Sequence, residues 1–282
     1  MSGPAFTYRS CSVHTHSTMC DGKNTLAEMA RAACAAGVRF FGASGHSHTP
    51  IPYDQGNVLP EDLSAYRAEV LRLREACEGR MEVLLGIEQD ACSLDGVPSW
   101  ADYWIGSVHH LPGNAPGEYH AIDWDVPRFL GGVDALSPGD PLGLVERYYE
   151  AVAAMARRKP TILGHIDLIT KLNGRGDLFD EDCPRYRRAA LGALDAADPQ
   201  ATLLEVNTGA IARGYRTAPY PAPFLLEAWR ARGGRIILTA DAHAVSGILC
   251  AYDDAAALAR SAGFSAACLL TRSGILDCPL DL

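Results

Sequence analysis

No uninterrupted apolar run in this chain approaches the roughly 18 residues of a membrane-spanning helix, so no transmembrane anchor is expected. An excess of positive charge is missing too. The 25 Lys and Arg residues stand against 34 Asp and Glu, a formal net charge of −9, and only three of the cations are lysines. That balance excludes the broad basic footprint needed for long nucleic acid or an anionic membrane, while leaving room for a small cationic pocket. C-x-x-C pairs are absent among the nine cysteines, an odd number scattered from Cys11 to Cys278. In a chain of 282 residues they read as reduced thiols rather than a disulfide framework. The segment MSGPAFTYRSCSVHTHS lacks the basic-then-apolar layout of a signal peptide, and a cytoplasmic location is expected. There is no internal repeat and no low-complexity tract.

Strand-like runs instead alternate with helical patterns. Apolar, β-branched or aromatic runs fall at 10–13, 38–43, 83–87, 103–108, 161–163, 203–206 and 236–239. Thr25-Leu-Ala-Glu28 forms a capping box before an Ala-rich helix that Gly37 closes, and Pro60 opens a second helix reaching Gly79. Further helices fit 142–158, 184–197, 222–231 and 253–262. This alternation predicts parallel strands with crossover helices, closed into an α/β barrel. The whole chain, 1–282, reads as one barrel domain. Two Gly-, Pro- and Asp-rich stretches, 50–59 and 112–141, break the rhythm and are expected to lie over the barrel mouth.

Each predicted strand runs into a polar or metal-ligating residue. In order these are His14-x-His16 with Asp21 beyond, Gly45-His46-Ser-His48, Glu88, His109-His110, His165-Ile-Asp167, Glu205-Val-Asn207 and Asp241-x-His243. One H-x-H is weak, since chance gives about 0.3 such pairs in a chain with nine histidines. Placement is more telling: eight of the nine histidines stand at the C-terminal ends of strands, where α/β barrels carry their chemistry. Residues i and i+2 of a strand share a face, so His14 projects with His16. Imidazole and carboxylate are the ligand set for Zn, Mn or Fe, and thiolates are absent from the motifs, which disfavours a closed structural zinc site. Histidines and carboxylates gathered in one mouth would repel unless cations neutralised them.

The segments VHTHSTMCDG, GASGHSHTP, GIEQD, DYWIGSVHH, ILGHIDLITK, EVNTGAIARG and TADAH resemble the PHP (polymerase and histidinol phosphatase) superfamily, above all its histidinol-phosphate phosphatase branch. The resemblance runs in order from Val13 to His243. It implies a distorted (β/α)7 barrel of PHP type with a metal centre at the C-terminal ends of the strands, holding two or three divalent transition-metal ions. By motif match His14, His16, Glu88 and Asp241 would hold the first ion. Glu88 would bridge to a second, completed by His109 and His165, and Asp21, His46 and His243 would hold a third. Glu88, Asp241 and His243 are the residues expected to carry catalysis.

The activity implied is hydrolysis of a small phosphomonoester, most plainly L-histidinol phosphate in histidine biosynthesis, by a metal-bridging hydroxide. Arg213, in the loop after the sixth strand, resembles the family's phosphate contact; Lys171, Arg216 and His48 are the other substrate-binding candidates. Cys20 lies near the first motif, but a covalent nucleophile is not needed. Competing readings are a phosphodiesterase on the same scaffold and a non-catalytic metal-binding module. An amidohydrolase also begins with H-x-H but often needs a strand-borne lysine, and Lys23, Lys159 and Lys171 all fall outside the predicted inner strands.

Overall fold

The computed structural model describes residues 6–281. Its strands are β1 (Cys11–Ser12), β2 (Phe40–His46), β3 (Glu82–Asp90), β4 (Tyr103–Ser107), β5 (His110–Pro112), β6 (Tyr119–Ala121), β7 (Ile162–Leu163), β8 (Leu203–Asn207), β9 (Arg235–Thr239), β10 (Ala266–Thr271) and β11 (Gly274–Pro279). The helices are α1 (Leu26–Ala35), α2 (Leu63–Ala76), α3 (Val126–Leu136), α4 (Pro141–Arg157), α5 (Pro184–Asp195), α6 (Gly209–Ala212), α7 (Pro223–Ala231) and α8 (Tyr252–Ser261). Among the described residues no helix is long and apolar enough to cross a membrane.

Seven parallel strands follow one another in the order β1-β2-β3-β4-β7-β8-β9. The curl closes where the chain leaves β1 and β9. Thr15 bridges Ala242 in parallel, with His16 N donating to Ala242 O (2.9 Å) and Ala242 N to His14 O (3.1 Å). Further down, β9 pairs instead with β10, which carries β11 antiparallel, so the barrel is distorted rather than evenly closed. The α/β class and the distorted seven-stranded barrel expected from the sequence are what the structure has.

Local chemistry accounts for the elements. Thr25 and Glu28 cap α1 reciprocally, Thr25 N donating to the Glu28 carboxylate and Glu28 N to Thr25 Oγ1. The second helix begins at Leu63 rather than Pro60, because residues 60–62 form a turn. The stretch 112–141 is more regular than its composition suggests. It contains β6, which pairs with β5, and α3, whose N-cap Asp125 accepts from Arg128 N at 2.8 Å. Pro127, which reads as a breaker, sits in the first turn, where a missing N–H costs nothing. The β10–β11 hairpin was not anticipated, since an antiparallel pair lies outside the strand–helix rhythm.

The sheet separates two apolar layers. Outside it, Phe41, Val83, Leu85, Val206 and Leu238 pack with helix residues such as Tyr148, Trp229 and Tyr252. Inside the barrel, Val13, Phe40, Leu84, Tyr103, Ile105, Ile162, Leu203 and Ile237 form the lower layer. Counting upward in twos from these residues reaches Glu88, Ser107, Glu205 and Thr239, so the interior turns polar toward the mouth. Tyr103 makes the floor between the two. Its hydroxyl donates to Val13 O (2.5 Å) and lies 3.3 Å from Ala43 O. Its side chain passes so close to Gly42 and Gly86 that a Cβ on Gly42 would stand 2.2 Å from the hydroxyl oxygen and one on Gly86 2.3 Å from the ring.

Gly86→Ala is therefore expected to displace Tyr103 and lower unfolding stability by about 1–3 kcal/mol in urea titration. Tyr103→Phe, which keeps the ring but leaves two buried carbonyls without their donor, should cost a comparable amount, about 1–3 kcal/mol. Unchanged midpoints for both would remove Tyr103 as the floor of the site.

Candidate metal centre

The mouth is organised around one carboxylate. Glu88, on β3, is 1% exposed and has five imidazoles around it. Its Oε2 lies 3.1 Å from His14 Nε2, 3.3 Å from His16 Nε2 and 3.0 Å from His46 Nδ1. Its Oε1 lies 3.0 Å from His165 Nε2 and 3.5 Å from His109 Nε2, and accepts from Ser107 Oγ at 2.7 Å. Asp241 Oδ1 is 3.2 Å from His16 Nε2 and 3.6 Å from His14 Nε2. Asp21 reaches His243 Nε2 (3.1 Å), His46 Nε2 (3.6 Å) and His16 Nδ1 (3.6 Å). All nine residues singled out as metal ligands from the sequence thus meet in one cluster. Asp241 and His243 follow β9 rather than end it, and Asp241 holds a left-handed φ of +46°, which Asp tolerates better than most residues.

Donor atoms in four overlapping groups lie within 4.8 Å of one another: His14–His16–Asp241, His14–Glu88–His165, His46–Glu88–His109 and His16–Asp21–His46–His243. The buried polar atoms His14 Nε2, His16 Nε2, Glu88 Oε2 and Asp241 Oδ1 have no hydrogen-bond partner, yet all four converge. Buried polar atoms rarely stay unpaired, and lone pairs aimed at a common point are what a cation requires. The electrostatics agree. Burial alone would push the Glu88 carboxyl up, but His14, His46 and His109 hold it well below the ordinary carboxylate range. Burial would push His14 down, but Glu205, Glu88 and Asp241 raise it to about 10, and His16 and His46 also lie well above the usual imidazole value. The ring draws positive charge to its centre. His, Asp and Glu without thiolate fit divalent transition-metal ions.

Residues behind the cluster aim it. Glu205, fully buried, sits 2.5 Å from His14 Nδ1, so the other ring nitrogen faces Glu88 and Asp241. Thr239 Oγ1, Asn207 Nδ2 and His165 N donate to the same carboxylate. Asp90 does the equivalent for His109, 3.0 Å from Nδ1 and accepting from its backbone N–H. Sequence reasoning noted Glu205 at a strand end without giving it a role, and passed over Asp90. The signal for Asp90 was its place two residues after Glu88, on the same face. Cys20 Sγ lies 3.6 Å from His16 Nδ1.

Above the cluster opens a cavity of about 580 Å³, whose wall includes Asp21, His46, His109, Asp123, Trp124 and Lys171. Residues 53–57 also line it. Arg213 stands at the cluster itself, its guanidinium donating to Asp241 Oδ2 (2.8 Å) and lying 3.2 Å from His243 Nδ1. Lys171 lines the cavity with its Nζ bonded to Asp123 Oδ2 (2.7 Å). The structure does not bring Arg216 or His48 to the same place. Both Arg216 terminal nitrogens donate to the Glu181 carboxylate, in a separate recess beside Asp167. The half-buried His48 lies 3.8 Å from Asp95 Oδ2, outside the cluster. His110, for which the sequence left open either a substrate contact or support of the ligands from behind, is buried in the cavity wall.

Comparison with known proteins gives this geometry a context. A curated protein of Deinococcus radiodurans, named a probable histidinol-phosphatase, is 33% identical over 244 residues, covering 83% of this chain and 86% of its own length. Among solved structures, one from Listeria monocytogenes assigned as a histidinol phosphatase is similar with a TM-score of 0.72 at 17% identity, over 86% of this chain and 98% of that one. A histidinol phosphate phosphatase from Lactococcus lactis, solved with zinc, L-histidinol and phosphate, has a TM-score of 0.69 at 18% identity, over 95% and 99% of the two chains. At those identities the two structures speak to the fold. The PHP domain family model matches residues 12–209, which include Glu88 and six of the other residues that gather around it. The chain belongs to the PHP-domain family.

Proposed function

We propose that the protein is a metal-dependent phosphomonoester hydrolase whose substrate is L-histidinol phosphate. The observation that carries this reading is the convergence of unpartnered His14, His16, Glu88 and Asp241 atoms beneath an open cavity. The name of the Deinococcus relative and the molecules bound in the Lactococcus structure support the substrate. His14, His16, Glu88 and Asp241 would hold one ion, Glu88 with His109 and His165 a second, and Asp21, His46 and His243 a third. When bound, such ions acidify water and neutralise phosphoryl charge. A net charge of −9 supports a small phosphorylated partner over long nucleic acid. Nine free cysteines accord with a cytoplasmic setting.

The chain's own groups divide the remaining work. Arg213 spends one N–H on Asp241 and keeps further donors for a phosphate dianion, which a guanidinium can grip at two oxygens. Lys171, paired with Asp123, contributes less net charge to the cavity than an unpaired lysine. Glu205 and Asp90 fix the ring orientation of His14 and His109, so the nitrogens that face the cluster keep their lone pairs free.

After reconstitution with Zn, Mn or Fe, elemental analysis is expected to find two or three ions per chain. Glu88→Ala should lose more bound metal than Asp21→Ala, because the Glu88 carboxylate faces five imidazoles and Asp21 lies at the edge. Fewer than one ion in the reconstituted wild type would overturn the reading.

Phosphate release should favour L-histidinol phosphate over nucleotides and phosphodiesters under identical metal conditions. Faster turnover of a diester would replace the monoesterase assignment. Arg213→Ala removes a charge-assisted contact of about 1.5–3 kcal/mol, expected to lower kcat/KM about 10- to 150-fold. Arg213→Lys should recover part of that loss while metal content stays at the wild-type level; full activity in Arg213→Ala would make it a bystander.

A further inference from the structure

His110 is the one buried histidine whose two ring nitrogens both lack a partner among the described residues. It is 5% exposed, and its backbone is fixed by the pairing of β5 with β6, opposite Ala121. The preceding residue turns into the cluster, with Asp90 behind it. His110 lines the cavity above. Beside it stand two aromatic rings that are unusually open for their size. Tyr53 (37% exposed) lies 5.8 Å from the His110 ring, and Trp124 (45% exposed) lies 6.0 Å from Tyr53. Both are anchored, Tyr53 by its hydroxyl on Tyr119 O (2.9 Å) and Trp124 under the Arg128 guanidinium.

We infer that His110 is a specificity-determining residue, which hydrogen-bonds the planar nitrogen heterocycle that the leaving alcohol of the proposed substrate already carries. This rests on the phosphomonoesterase reading above. An imidazole with both nitrogens free offers one donor and one acceptor in either neutral tautomer. Burying it unpaired is costly, and a ligand that completes its bonds recovers that cost. An aliphatic polyol could satisfy His110 but would leave the aromatic walls unused. A plain aryl ring could lie against the walls but would leave His110 unpaired, and sites built to hydrogen-bond reject such analogues. A flat ring bearing nitrogen meets both demands.

The test compares wild type with His110→Phe, which keeps the ring and removes the nitrogens. Initial rates are measured with L-histidinol phosphate, glycerol phosphate and p-nitrophenyl phosphate, and histidinol is titrated as an inhibitor of p-nitrophenyl phosphate turnover. The ratio of kcat/KM for L-histidinol phosphate to that for p-nitrophenyl phosphate should fall about tenfold. The inhibition constant of histidinol should rise by a similar factor. The melting temperature should hold or increase, because an unpaired buried polar group has been removed. An unchanged ratio, a parallel fall on every ester, or a lowered melting temperature would each overturn the assignment while leaving the phosphatase reading intact. A wild-type enzyme inactive on every monoester would overturn the reading itself, and His110 with it.

Discussion

A single buried carboxylate sets the terms for the rest of the molecule. Glu88 lies inside the barrel, almost wholly removed from water, and a charge in that position survives only with opposite charge and hydrogen bonds around it. The fold supplies these from strand ends on every side: His14 and His16 after β1, His46 on β2, Ser107 and His109 from β4 onward, and His165 after β7. Because the ring of imidazoles and carboxylates draws positive charge to its centre, the requirement that keeps Glu88 ionised also suits the mouth to divalent cations. The lower barrel answers the opposite need. Tyr103 and the aliphatic layer below it fill the interior, so the polar layer rests on a packed floor.

The ligand cluster was legible in the sequence because its logic is local. A strand ends, and a histidine or carboxylate stands at the end or two residues on. The cations around the cluster were not legible in the same way. Arg213 and Arg216 are three residues apart in one loop and chemically alike, yet one bonds Asp241 and the other is taken up by Glu181. Those partners come from distant parts of the chain, so nothing near either arginine distinguishes them. His48 illustrates the same limit. It stands two residues after His46, but His46 ends β2 and the chain beyond it leaves the strand, so the i+2 rule no longer applies. In 112–141, the Gly and Pro content hid α3, because a proline in the first turn of a helix has the opposite meaning from one in its interior.

A second layer of carboxylates was within reach of the same periodicity and was not used. Asp90 follows Glu88 by two residues, and Glu205 lies two residues above the inward-facing Leu203. Each sits behind a histidine that faces the cluster and fixes which nitrogen is free. Without them, rings packed this closely could flip or change tautomer and would present N–H groups where lone pairs are wanted. Acidic residues on inner faces therefore carry two distinct duties, one facing the cavity and one facing the back of an imidazole, and sequence alone does not separate the two.

Barrel closure and site assembly are the same event in this chain. Among the described residues, the β-bridge that joins the chain after β1 to the chain after β9 is Thr15–Ala242, and the residues flanking it are His14 and His16 on one side, Asp241 and His243 on the other. Two backbone hydrogen bonds thus place four cluster side chains at once, drawn from opposite ends of the sequence. β9 does not stay beside β1 along its length, for lower down it pairs with β10. The distortion of the barrel is therefore compatible with an ordered mouth, because closure is needed only at the level where the histidines stand. Of all the strand contacts, this short one joins the fold to its chemistry most directly, since a chain that left it open would have a nearly complete barrel and a dispersed cluster.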